Sequence, residues 1–251
     1  MSKGGTSGRR GRTRATPPQL GSLDPADEAS IERQVYRLLR RAFMAGQIAP
    51  ASGLTGRSLA DSLAISPSPV RDALKRLEAD GVVESRNKSA YFVSELSREQ
   101  YLDIINLRIQ IEGYAAGEAA RHATPDDVAR IEAIHRRYTQ TQSFAESVRV
   151  NYFFHFEIYK LARSPILIEV TENLWMRIGP IMQLHMHDYG VGDVADNHER
   201  MIEAIRRGDV RGAARALERD LTIASRVIAP SLPSRNFVDE RRGALLATLD
   251  I

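Results

Sequence analysis

Apolar residues recur three and four apart along most of this chain, and one short region that breaks the period separates two differently built parts. In "IERQVYRLLRRAFMAG", Ile31, Val35, Leu38, Leu39 and Phe43 form one stripe. The capping stretch "LDPADEAS" precedes it and Gly46 stops it, which predicts a helix. "QIAPASGLT" reads as a loop, and "RSLADSLAI" as a short second helix, apolar at Leu59, Leu63 and Ile65. "SPSP" is punctuation, with Ser66 placed to cap and the prolines suited to a turn and a first helical turn. A third helix runs through "VRDALKRLEAD" to Gly81. The period then drops to two in "VVESRNKSAYFVSEL", which predicts two short strands around the polar turn "RNKS".

From about residue 97 the helical period returns and no strand pattern interrupts it. "SREQYLDIINLRIQIEGYAAGEAARHA" begins with a serine cap, and "TPDDVARIEAIHRRYTQTQ" repeats the device with Thr124, Pro125 and acids in the first turn. Helical patterns continue over 144–163, 166–188, 194–207 and 210–228. "APSLPSRN" is a linker, and "DERRGALLATL" a short closing helix. The expected protein is mainly α. Residues 1–27 form a disordered basic arm and 28–95 a winged helix-turn-helix domain with a small β-hairpin wing. Residues 96–228 form an all-helical bundle, and 229–251 a C-terminal tail.

The absence of cysteine excludes disulfides and thiolate metal sites, which suits a reducing cytosol. No apolar run approaches the roughly 18 residues that span a bilayer, and the N-terminus lacks the apolar core of a signal peptide. The expectation is a cytoplasmic protein with no membrane partner. Net charge is a mild +3, yet residues 1–22 hold Lys3, Arg9, Arg10, Arg12 and Arg14 and no acid. Such an arm attracts phosphates through counterion release, or serves equally as a solubilising tail.

Three helices followed by a hairpin can place the third helix in the DNA major groove and the hairpin on the backbone or minor groove. Arg57, Ser66, Ser68, Arg71 and Lys75 cluster around the turn and the start of the third helix, and Arg86 and Lys88 sit in the hairpin turn. Serines and a helix N-terminus suit phosphate oxygens, and arginine can fork onto a guanine edge. Arg71 opposes the helix dipole near the helix start, a placement that an anionic partner explains. Lys75 and Arg76 serve equally well as a solvated helix face.

"SLADSLAISPSPVRDALKRLEADGVVE" resembles the recognition motif of GntR-family bacterial transcription regulators. "GQIAPASGLTGRSLA" resembles that family's preceding Gly-x-Ile-x-Pro-Gly loop, and the likeness covers roughly residues 28–95. It implies that Arg57, Ser66, Arg71 and the hairpin turn contact a palindromic operator. Pro67 stands where the family commonly has a base-reading arginine, and "RNKSAYFV" replaces its Gly-rich wing turn, leaving Lys88 as the main cation there.

The helical part resembles the family's FadR branch, with its FCD effector-binding domain, over about residues 99–226. "NYFFHFEIYKLARSPIL" is similar to that domain's Asp-x-x-x-His helix, and "NHERMIEAIRRGDVRGAARALERDL" to its two final helices, joined at Gly208-Asp209. Asn151 and His155, four apart, share a helix face. His198 opens the expected penultimate helix, whose Met201, Ile202 and Ile205 face inward, and Asp220 lies on the last helix near Leu217 and Leu221.

The resemblance implies that these four positions converge on a divalent metal, commonly through one aspartate and three histidines; nitrogen and oxygen ligands suit zinc, nickel or manganese. Here the set is Asn151, His155, His198 and Asp220, with a carboxylate lost at one position and gained at another. The competing reading is a metal-free pocket whose polar groups bond one another or an organic ligand. Arg108 and Glu112 match the domain's Arg-x-x-x-Glu; the arginine can fork onto an effector carboxylate or close an i, i+4 salt bridge. Tyr152, Tyr159, Arg177, His185 and His187 are further candidates for pocket polarity, although "LHMHDYG" reads as a helix end, since residues two apart face different ways.

Together these implications describe a ligand-responsive regulator, most often a repressor in that family. It would bind operator DNA as a homodimer and be released by a small organic acid. A metal-dependent enzyme built on His155, His198 and Asp220 is the alternative, and it leaves the winged helix unexplained. Sequence-neutral DNA packaging is a third reading, which leaves the interior polar set unexplained.

Overall fold

The computed structural model describes residues 18, 20–87, 90–185 and 191–240; most of the basic arm, Lys88, His187 and most of the closing helix lie outside them. Helix α1 (Ile31–Met44) is capped by Ser30, whose side chain accepts from the Arg33 amide, and its stripe buries Val35, Leu39 and Phe43. The stretch expected as a plain loop contains a strand, β1 (Gly53–Thr55). Three residues are too few to show a period of two, and this strand exists because β3 offers it an edge. Helix α2 (Gly56–Leu63) leads to α3 (Pro67–Ala79), where Ser66 holds the cap position without a side-chain cap bond. Strands β2 (Val83–Asn87) and β3 (Ala90–Val93) form the expected hairpin. The sheet is antiparallel in the order β1-β3-β2, with Leu54 opposite Tyr91 and Glu84 opposite Phe92.

Among its described residues the second part is built of helices joined by short turns, with no strand. Capping boxes at Ser97/Gln100 and Thr124/Asp127 open α4 (Arg98–His122) and α5 (Pro125–Gln140). Then come α6 (Phe144–Lys160), α7 (Pro165–His185), α8 (Val191–Arg206) and α9 (Val210–Ile228). Helix α8 starts at Val191, so His198 lies about two turns inside it and does not open it. Helices α4 and α9 run antiparallel in close contact. A Cβ on Gly117 of α4 would stand 3.1 Å from Val210 at the start of α9, and the Arg98 guanidinium donates to the Ala229 carbonyl just past its end.

One hydrophobic core runs through both parts. At their junction α7 packs on α1 so tightly that a Cβ on Gly179 would stand 2.0 Å from the Phe43 carbonyl oxygen. No helix among the described residues is long and apolar enough to cross a membrane.

Candidate functional site

Three helices carry the interior polar set. Asn151 and His155 project from one face of α6, His198 comes from α8 and Asp220 from α9, and all four are buried. Ligand atoms of His155, His198 and Asp220 lie within 4.8 Å of one another, and His155 Nε2 stands 3.3 Å from Asp220 Oδ2. Asn151 Oδ1, His155 Nε2 and both ring nitrogens of His198 are buried with no hydrogen-bond partner among the described residues. Unpartnered buried polar atoms cost free energy, and His155, His198 and Asp220 each bring one ligand atom close enough to share a single ion, which only one of the two His198 nitrogens can reach.

The surroundings prepare these imidazoles as ligands. Phe154 stacks on His198 with centroids 3.8 Å apart. Burial, then the neighbouring His155 and His135, push the proton affinity of His198 well down. It is therefore neutral, with a lone pair free. His155 Nδ1 lies 3.1 Å from the Tyr159 hydroxyl, which lies 2.5 Å from Glu112 Oε2. A carboxylate only accepts, so the single hydroxyl proton goes to Glu112 and Nδ1–H of His155 donates to the tyrosine oxygen. With Nδ1 engaged in that bond, Nε2 is the ring nitrogen that faces Asp220.

Glu112 also decides between the two readings of Arg108. It accepts from Arg108 Nε at 2.7 Å and Nη2 at 3.1 Å, and from Trp175 Nε1 at 2.9 Å. Both partners of the pair are fully enclosed, and the guanidinium lies 4.4 Å from the Trp175 ring centre. Burial works against the Arg108 charge, and Glu112 more than offsets it, so its proton affinity is raised. Arg108 thus forms the buried salt bridge while still lining the cavity.

That cavity is also lined by Asn151, His155, Asp220, Trp175, Ile178 and Met182, and its volume is about 20 Å³. It holds about one water, or an ion of similar size.

Two expected pocket residues point elsewhere. Tyr152 follows Asn151 by one residue, about 100° around the helix, and packs against Phe156 and Trp175 on the side of α1, near Arg40, Arg41 and Glu172. Arg177 lies on the outer face of α7 and donates to the Asp80 carbonyl at the end of α3, 2.8 Å away. The side chain of His185 and all of His187 fall outside the described residues. The sequence reading missed Trp175, a residue whose apolar position in α7 carried no sign of its bond to Glu112.

On the DNA-reading side, Arg57, Ser66, Ser68, Arg71 and Lys75 are all exposed. Arg71 lies across the start of α2, where a Cβ on Gly56 would stand 3.1 Å from its Cγ. Lys75 pairs with Asp72 at 3.2 Å and Arg76 covers the Tyr36 ring at 4.0 Å. Arg86 lies in β2 and not in the hairpin turn as expected, because the pairing with β3 runs on to Asn87, and it covers the Phe92 ring at 4.6 Å. Arg57 and Arg71 have no acidic partner among the described residues, which leaves their charge for an external anion.

Comparison with known proteins agrees with this layout. Residues 31–93 match the family model described as "Bacterial regulatory proteins, gntR family", and residues 103–222 match that described as "FCD domain". The chain is 27% identical over 194 residues to the HTH-type transcriptional regulator McbR of Escherichia coli, covering 75% of this chain and 88% of that one. It is 24% identical over 200 residues to the Exu regulon transcriptional regulator of Escherichia coli (72% and 76% covered). It is 22% identical over 190 residues to the probable D-xylose utilization operon transcriptional repressor of Paenarthrobacter nicotinovorans (75% and 84%). Among solved structures, E. coli McbR/YncC superposes with a TM-score of 0.75 at 25% identity, over 80% of this chain and 98% of that chain.

Proposed function

Since the chain belongs to the GntR family of bacterial regulatory proteins and carries an FCD domain, we propose that it is a repressor that binds a palindromic operator as a homodimer and is released by a small carboxylate-bearing metabolite. The family membership makes it a transcriptional regulator; its named relatives are regulators as well, which leaves the enzyme alternative without support. The repressor reading draws on the Paenarthrobacter relative, named a probable repressor. The dimer reading draws on symmetry: two half-sites about one helical turn apart require a two-fold related pair of readers.

The observation that carries the effector reading is the buried cluster of unpartnered polar atoms on Asn151, His155 and His198 beside Asp220. These residues fit a divalent metal: imidazole nitrogens, a carboxylate and an amide oxygen suit zinc, nickel or manganese. His155, His198 and Asp220 would hold the ion, with Asn151 beside them. Bound there, it supplies a positive charge that attracts a carboxylate. The side chains do the rest. Tyr159 and Glu112 orient His155, and Arg108, already paired with Glu112, closes one wall.

The test is enrichment of duplexes from a random pool by the full chain, with metal analysis of the purified protein. A two-fold symmetric consensus and a stoichiometric divalent ion are expected. A pool without enrichment removes the operator reading, and a protein that takes up none of the three metals removes the metal.

A further inference from the structure

Helix α7 has two working faces. Inward, Trp175, Ile178 and Met182 line the effector cavity. Outward, Glu172 pairs with Arg40 of α1, Arg177 donates to the Asp80 carbonyl, and Gly179 brings the α7 backbone against the Phe43 carbonyl. A cavity of about 20 Å³ admits a metabolite only if its walls move, and α7 supplies three of those wall residues.

The outward contact falls on the DNA-recognition helix itself. Asp80 is the C-cap of α3 and gathers three helices: its carboxylate accepts from Tyr36 of α1 at 2.6 Å, and its carbonyl accepts from Arg177 of α7 at 2.8 Å. A guanidinium at this end of α3 meets the negative pole of the helix, where the Arg76, Leu77 and Glu78 carbonyls already accept from backbone amides and the Asp80 carbonyl accepts from Arg177. The fit is close. Gly81 has φ +72°, and a Cβ there would stand 2.6 Å from Arg177 Nη2. Pro180 lies inside α7, where it removes the hydrogen bond to the Met176 carbonyl and weakens the helix between Arg177 and Met182.

Resting on the regulator reading above, we propose that Arg177 is a positioning residue that links the walls of the effector cavity to the recognition helix through the Asp80 carbonyl. Expansion of the cavity displaces α7, and Arg177 carries that displacement to the end of α3. In the free protein the same bond holds α3 in its DNA-reading position.

Trp175 is the only tryptophan and lies in the cavity wall, so its emission reports on α7 without any effector. The experiment titrates the full chain with a duplex that the wild type has selected from random DNA. Saturating duplex is expected to shift Trp175 emission in the wild type. Arg177→Met, which keeps the aliphatic stem, should bind the duplex about tenfold more weakly, as expected for the loss of a charged hydrogen bond, and show no shift at saturation. Arg177→Lys, which retains a donor, should recover most of both. Wild-type affinity and an unaltered shift in Arg177→Met overturn the link, as does a wild type whose emission ignores the duplex. A wild type that selects no duplex overturns the regulator reading itself, and the link with it.

Discussion

The Arg108 guanidinium meets Glu112 in a two-bonded pair inside α4, and Glu112 is also the acceptor for Tyr159 and Trp175. Removing one partner of an enclosed pair strands the other charge. Glu112→Leu is therefore expected to cost about 3–5 kcal/mol of stability, whereas Arg108→Met/Glu112→Leu together should cost much less. Urea denaturation of both variants checks this; equal losses would place the cost in the stranded Tyr159 and Trp175 donors and not in the charge left on Arg108.

Asn151 is the neutral member of the interior set. Asn151→Asp adds a carboxylate to the cavity that His155 and Asp220 also line, and zinc should bind about ten- to a hundredfold tighter. His198→Ala should abolish zinc binding, because it removes one of three ligand groups that lie within 4.8 Å of one another. Competition with a chromophoric chelator measures both, and zinc affinity indifferent to both changes would leave the cluster without a metal role.

Tyr159 acts on His155 through a single hydroxyl. Tyr159→Phe keeps the ring and removes the group that selects the His155 tautomer, so zinc affinity should fall about tenfold or more. The same chelator competition reads it, and an unchanged value would mean that the imidazole is oriented by packing alone.

Arg71 is exposed, has no acidic partner among the described residues and lies in the second turn of α3, past the first turn that the sequence suggested, whereas Lys75 already has Asp72 as partner. Arg71→Ala should weaken operator binding by about 1–3 kcal/mol with the far-ultraviolet dichroism unchanged. Lys75→Ala should weaken it less. Gel-shift titrations in which the order is reversed would move the reading edge of α3 along the helix.

Gly179 touches backbone. A methyl group there meets the Phe43 carbonyl, so Gly179→Ala should cost about 1–3 kcal/mol or part α7 from α1. Thermal denaturation with wild-type Tm would show that α7 and α1 are not packed this closely in solution.

Much of this layout was legible before any coordinates. The period of 3.6 marked the helices, capping residues marked several of their starts, and the spacing of Asn151 to His155 and of Arg108 to Glu112 put each pair on a shared face. Strand β1 was not legible, because three residues carry no readable alternation and the strand exists only where β3 provides hydrogen-bond partners. The start of α8 is not legible in the sequence, because Gly192 and Asp193 interrupt the apolar stripe ahead of Val194.

By itself the sequence determined which residues share a helix face, where the chain changes from a winged helix to a helical bundle, and which side chains can ligate or pair. Those are local properties, set by backbone geometry and side-chain chemistry within a few turns. Only the tertiary structure decided what stands opposite each face. It gave Arg108 to Glu112, turned Tyr152 toward α1 and directed Arg177 to the end of α3. It also brought His155, His198 and Asp220 from three helices to one point. A side chain's role depends on a neighbour distant in sequence, and that neighbour is chosen by the packing of whole helices, which no local period encodes.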